Sequence, residues 1–156
     1  HARRVPAGME KAEALARFAD ITYRCGEVAQ SFGMKIAIEP LCYREDTLLN
    51  TVADGVALCR TVGHPAVGVL LDFYHFRENG ASLPDLPSRL FHVHLARPDS
   101  DRGAPTEADV PAMRPWAEAL RAMHYTGRIS LECVFRPDFE TAIRSAYPAT
   151  DIFREL

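Results

Sequence analysis

Val67–His75 reads VGVLLDFYH, and Leu90–Ala96 reads LFHVHLA. Both are apolar at nearly every position, the pattern of a strand buried on both faces, as in a parallel sheet. Two more short apolar runs lie outside them, Lys35–Pro40 (KIAIEP) and Arg128–Phe135 (RISLECVF). Helical patterns separate the four. Upstream of the first run, Leu15, Phe18, Ile21, Cys25, Val28 and Phe32 recur at steps of three and four, which predicts one apolar helix stripe that Gly33 stops. After it, Asp46 or Thr47 is placed to cap a helix with Leu49, Val52, Val56 and Cys59 on one face, ended by Gly63 and Pro65. Arg77–Arg89 holds Asn79-Gly80, Pro84 and Pro87, so a short helix at most is expected there. Met113, Trp116, Leu120 and Met123 form another stripe closed by Gly127. Pro137–Tyr147 predicts a last helix, broken by Pro148 before a terminal turn. The order α-β-α-β-(α)-β-α-β-α implies βα units, a parallel sheet and one domain.

Composition agrees with a folded domain. Of 156 residues, 47% are apolar and 25% charged, which excludes a disordered tail, a collagen-like repeat and a coiled coil. The net charge of −3 gives no support to nonspecific nucleic-acid binding, which runs on positive charge. Sixteen of the 18 basic residues are Arg, a compositional bias. Cys25, Cys42, Cys59 and Cys133 show no C-x-x-C spacing, so neither a zinc ribbon nor a redox dithiol is indicated, and reduced thiols in a cytoplasmic protein are expected. No run of 18 apolar residues predicts a membrane span, and no signal peptide is legible. The opening His1-Ala2-Arg3-Arg4-Val5-Pro6 reads like the middle of a longer sequence.

Each apolar run ends in a group able to bind a metal. The first ends at Glu39, the second at Asp72 with His75 three residues on, the third carries His92 and His94, and the fourth carries Glu132. In α/β barrels and open α/β sheets, ligands sit at the carboxyl ends of the strands. Carboxylates with one imidazole suit a hard or borderline divalent ion such as Mn²⁺, Mg²⁺, Co²⁺ or Zn²⁺. Alone, Glu39 before Pro40 reads as a loop carboxylate. Asp72 and Glu132 inside apolar runs are costly unless paired. His92 and His94 alternate along one run, so both point to the same face.

These residues resemble a family. Ile38-Glu39-Pro40, Leu71-Asp72-x-x-His75, His92-x-His94 and Ser130-Leu131-Glu132 are similar to the xylose isomerase-like barrel superfamily. The closer resemblance is to its sugar phosphate isomerase/epimerase group, with the ketose 3-epimerases and hydroxypyruvate isomerases. Gly63-His64-Pro65 and Tyr125-x-Gly127 fit as well, and the resemblance covers nearly the whole chain. It implies a (β/α)₈ TIM barrel, of which residues 1–156 would be the C-terminal half: about its last four βα units, strands five to eight. A barrel of this kind needs roughly 250 residues. Such a half is expected to be completed by another copy or by an N-terminal half, because it leaves open sheet edges and an uncovered inner face.

The resemblance also implies roles. Glu39, Asp72, His94 and Glu132 match four ligands of one divalent metal ion. Glu45 matches a substrate-contacting carboxylate, and His75 a histidine that hydrogen-bonds the substrate. Arg102, in Asp101-Arg102-Gly103, matches an arginine that holds a substrate oxygen; its alternative is a solvated loop arginine. His92 falls behind the metal ligands, where such residues are commonly held in place. Two stretches depart from the pattern: Leu95-Ala96-Arg97 where an acidic residue often follows the metal His, and Ala104–Asp109 in place of a glycine-rich loop.

The implied activity is a metal-dependent isomerase or epimerase of a sugar or sugar phosphate. It would work by proton transfer next to a carbonyl through an enediolate, with Glu39 and Glu132 as the acid–base pair. The substrate is expected to be a small sugar or polyol, with no nucleic acid or membrane partner. Three rivals remain. An inosose or dehydroshikimate dehydratase shares the proton abstraction. An endonuclease IV-like nuclease would place a His after Asp101-Arg102, where this sequence has Gly103. A catalytically silent binding module would not need both Glu39 and Glu132.

Overall fold

The computed structural model of this protein describes residues 3–80, 89–99 and 101–154. Its elements are α1 (Lys11–Ser31), β1 (Ile36–Ile38), α2 (Val52–Val62), β2 (Val67–Asp72), α3 (Phe73–Glu78), β3 (Leu90–Leu95), α4 (Val110–Ala122), β4 (Arg128–Leu131) and α5 (Phe139–Ala149). The four strands form one sheet in the order β1-β2-β3-β4, and every neighbouring pair is parallel. Among the described residues no helix is long and apolar enough to cross a membrane.

β2 is buried at all six positions, as its continuous apolar run requires. Phe73, Leu71, Val93, Leu95, Met113, Trp116 and Leu120 pack into one core between the sheet and α4, with Phe73 stacked on Trp116 at 4.4 Å between ring centroids. A second core gathers Ile38, Leu48, Leu49, Leu58, Val62, Val67 and Val69 under α1 and α2. The strands end earlier than the apolar runs suggest. Glu39, Glu132 and His75 lie beyond strands, whereas Asp72 and His94 lie within β2 and β3.

Four helices correct the sequence reading. In α1 the buried face is Ala14, Ala19, Thr22 and Gly26, while Ile21, Cys25, Val28 and Phe32 are exposed, Phe32 at 75%. Small residues let α1 approach closely. A Cβ on Gly26 would stand 2.7 Å from His64 Nδ1, and that buried ring is fixed by Glu27 Oε1 at 2.9 Å and the Ala66 N–H at 3.1 Å. α2 starts at a capping box of Thr51 and Asp54, not at Asp46 or Thr47. Asp46 instead accepts the Thr47 and Leu48 amides in a turn, at 2.7 and 3.0 Å, and Leu49 is buried in the loop before the helix. α5 runs on through Pro148, which is exposed and one residue from the helix end, to Ala149. The helix expected within 77–89 begins earlier, directly after Asp72; residues 81–88 of that stretch lie outside the described residues. Gly63 closes α2 at φ 65°, as its position predicted.

Candidate metal centre

Parallel register sets the height of the site. Asp72 pairs with His94, and His94 pairs with Ser130, two residues before Glu132. Glu39 follows the last residue of β1. One ligand atom from each of Glu39, Asp72, His94 and Glu132 lies within 4.8 Å of the others, so four consecutive strands deliver their tips to one point. His94 Nδ1 is 2.9 Å from Glu132 Oε2 and 3.3 Å from Glu39 Oε1. Arg102 Nη2 stands 3.1 Å from Asp72 Oδ2 and 2.7 Å from Glu132 Oε2.

Each side chain is aimed by its local structure. Asp72 is the N-cap of α3: its Oδ1 accepts the Tyr74 N–H at 2.8 Å, which turns Oδ2 toward Arg102. Its side chain is fully buried, while that of Glu132 is 45% exposed. His92 lies edge-on to His94 at 5.2 Å and bonds Ser130 Oγ at 2.9 Å, so it props the neighbouring ring. His75 sits in α3 with Nε2 3.5 Å from Asp72 Oδ2, and its Nδ1 accepts the Cys42 backbone N–H at 3.3 Å. Glu45 joins Cys42 and His75 in a second cluster whose ligand-type atoms also lie within 4.8 Å of one another.

Sequence reading missed what holds that loop. Asn79 donates to Asn50 O at 2.6 Å and accepts the Tyr43 N–H at 3.1 Å. Asn50 in turn donates to Leu41 O and Asp46 O. Together they pin residues 41–50 over α3, which fixes Glu45 beside His75. Asn79-Gly80 reads as a turn signal in sequence, and nothing there shows its reach to Asn50.

Electrostatics follow from crowding three carboxylates. Burial pushes the Asp72 carboxyl up to about 7, against the Tyr74 N–H and the Arg102 guanidinium, with Glu39 and Glu132 adding to the rise. The hydrogen bond from His94 holds Glu132 down at about 2, against its own burial and with help from Arg102. Bonds to Glu132 and Glu39 lift His94 to about 10. Burial lowers His75, and burial with the neighbouring His94 charge lowers His92. Three carboxylate oxygens and one imidazole nitrogen converging on a point, with positive groups already drawn in, are a donor set that fits a divalent cation.

The profile of the xylose isomerase-like TIM barrel family matches residues 1–152. The chain is 34% identical over 113 residues to the "probable ketose 3-epimerase" of Synechocystis sp., covering 70% of this chain and 38% of that protein. It is 26% identical over 158 aligned positions to an inosose isomerase of Halalkalibacterium halodurans, covering 90% of this chain and 55% of that one. Its fold superposes on the D-psicose 3-epimerase of Clostridium cellulolyticum H10 with a TM-score of 0.83 at 23% identity, covering 97% of this chain and 60% of that structure. The chain therefore belongs to the xylose isomerase-like TIM barrel family, and it spans from 38% to 60% of the length of these relatives.

Titrating the histidines of the metal-free protein by NMR tests the charge distribution. His94 is expected to stay protonated through neutral pH and to lose its proton near 10. A neighbouring carboxylate favours the charged imidazole, so Glu132→Gln or Glu39→Gln should bring His94 down toward its ordinary 6.5. His75 and His92 should titrate below 6.5. A parent His94 that titrates at or below 6.5 contradicts the geometry.

Proposed function

We propose that the chain carries the metal centre and acid–base pair of a sugar or polyol-ketone isomerase or epimerase. It would depend on one divalent ion, Mn²⁺, Mg²⁺, Co²⁺ or Zn²⁺, held by Glu39, Asp72, His94 and Glu132. The convergence of these four side chains carries the reading, with His75 and Arg102 beside them. The ketose 3-epimerase and inosose isomerase names of the relatives support this substrate class. When bound, the ion would polarise the substrate carbonyl and its neighbouring hydroxyl.

The chain's own groups would do the rest. Glu39 and Glu132 come from β1 and β4, the two outer strands, so they approach the point of convergence from opposite sides. One, as the carboxylate, removes the proton next to the carbonyl; the other, as the carboxylic acid, delivers its own proton to the far face, which inverts that carbon, and exchange with solvent resets both groups. Return to the adjacent carbon instead gives aldose–ketose isomerisation. His94 and Arg102 hold Glu132 in its ionised form. Burial keeps His75 neutral, and its Nδ1 already accepts the Cys42 amide. That puts the proton on Nε2, 3.5 Å from Asp72 Oδ2, and from there it would donate to a substrate oxygen beside the site. Glu45, beside His75, would take a sugar hydroxyl.

Activity in the intact barrel, scored with Mn²⁺ by exchange of substrate protons with solvent deuterium, tests the pair. Glu39→Gln and Glu132→Gln are each expected to cut turnover by about 10²–10⁴-fold, the range for loss of a general base. Both variants turning over at the parent rate with metal bound would contradict the two-carboxylate mechanism, whereas a parent that binds the ion and exchanges no substrate proton would favour the binding-module reading.

We also infer that β1 and β4, both edges of the sheet, pair with further strands. With the exposed apolar residues of α1, they fit a second set of βα units, from another copy or from an N-terminal half. Sedimentation of the 156-residue chain by itself should show self-association; a compact, stable monomer would contradict this.

A further inference from the structure

Tyr74 sits between Arg44 and Arg102, and catalysis by Glu39 and Glu132 gives it no task. It is the second residue of α3, two positions after Asp72. Its ring is buried, at 6% exposure. One face carries the Arg102 guanidinium, with Cζ 4.5 Å from the ring centroid. Its hydroxyl oxygen accepts a bond from Arg44 Nη2 at 2.7 Å, and Arg44 is itself paired with Glu78 at 3.2 Å. The backbone N–H of Tyr74 is spent on Asp72. The ring is therefore fixed at its backbone and at its hydroxyl, with its flat face turned to Arg102.

Arg102 needs such support. Its backbone lies at φ 54°, a left-handed conformation that a side chain with a Cβ adopts at a cost. Its carbonyl accepts the Val134 N–H at 2.7 Å, and the next residue bridges to Val134, so the loop is tied to the segment after β4. From there the side chain reaches back across the site. Among the described residues its protein bonds run through Nη2 alone, to Asp72 and Glu132. A guanidinium held at one nitrogen is free to pivot about it. A ring against its face removes that freedom, and keeps the remaining N–H groups in the plane of the site, where a substrate oxygen would meet them.

We propose that Tyr74 is the positioning residue for Arg102: its buried ring face sets the plane in which the guanidinium meets a substrate oxygen. This rests on the reading that Arg102 faces substrate, and two measurements separate the two claims. The first needs no substrate. In the metal-free protein, the Arg102 side-chain Nε–H resonance should be shifted upfield by the Tyr74 ring current. Tyr74→Phe should keep the shift and Tyr74→Leu should abolish it. An Arg102 resonance that does not change in Tyr74→Leu overturns the proposal, whatever the activity.

The second is a double-mutant cycle in the intact barrel with D-psicose as the probe. Tyr74→Leu is expected to raise KM by roughly 3- to 30-fold, the span of a cation–π contact, with a smaller effect on kcat and no change in Mn²⁺ affinity. Tyr74→Phe should stay within about threefold of the parent, since it keeps the stack. In an Arg102→Gln background, Tyr74→Leu should add nothing further, because both changes remove one and the same function. Fully additive effects, or a Tyr74→Leu variant with the parent KM, would overturn the positioning role. Loss of the ring-current shift in Tyr74→Leu together with no turnover of D-psicose by the parent leaves the contact standing and counts against D-psicose as a substrate alone.

Discussion

Three carboxylates are forced within a few ångströms of one another, and their mutual repulsion is the constraint around which the rest of the site is organised. Glu39, Asp72 and Glu132 come from three different strands, so nothing local in the chain favours their meeting. Two cations answer them from within the protein. His94 lies between Glu39 and Glu132, and Arg102 lies between Asp72 and Glu132. The opposite shifts of Asp72 and Glu132 show how unevenly the compensation is shared. The buried Asp72 is held near neutrality, whereas the more open Glu132, bonded by both cations, is strongly ionised. A divalent ion placed at the same point would complete the neutralisation, and it would do so by displacing the proton from His94.

The scaffold makes this crowding affordable through register and capping. A parallel sheet aligns Asp72 with His94 and His94 with Ser130, so the groups arrive at one level without bent strands. The dense cores on either side hold that register, because a buried β2 cannot slip without exposing its apolar residues. Asp72 then serves two ends at once, as the cap that starts α3 and as a site carboxylate. α3 in turn carries His75 and Tyr74 into place, and Asn79 at its end clamps the loop bearing Glu45. A short stretch of chain from Asp72 to Asn79 thus orients groups on both of its flanks.

Much of this was legible in sequence, for a physical reason. A carboxylate at the end of a continuous apolar run is expensive unless it is used, and that cost marked Asp72 and Glu132. Alternation marked His92 and His94 as sharing a face, and the structure places them edge-on to one another. What was illegible depends on partners far along the chain. Periodicity found the apolar stripe of α1, of which Leu15 and Phe18 pack on the core while Ile21, Cys25, Val28 and Phe32 do not, since close approach to His64 turns Ala19, Thr22 and Gly26 inward. Asp46 looked like a cap because of its type, but its carboxylate is consumed by the next two amides, and Thr51 starts the helix. Tyr74 carried no signal at all. Its meaning comes from an arginine in a loop between β3 and α4, which the left-handed backbone at Arg102 aims back across the sheet.

The central claim is that four strands build one cation site whose ligands must give up protons to the incoming ion. Calorimetric titration of Mn²⁺ into the metal-free protein, repeated across pH in buffers of different protonation enthalpy, tests it most directly. Binding should saturate at about one ion per chain, with roughly one proton released above pH 7, from His94, and more below it as Asp72 contributes. Affinity should therefore rise with pH, and His94→Ala should weaken it sharply. Absence of saturable binding, or binding that is independent of pH and indifferent to His94→Ala, would contradict the account.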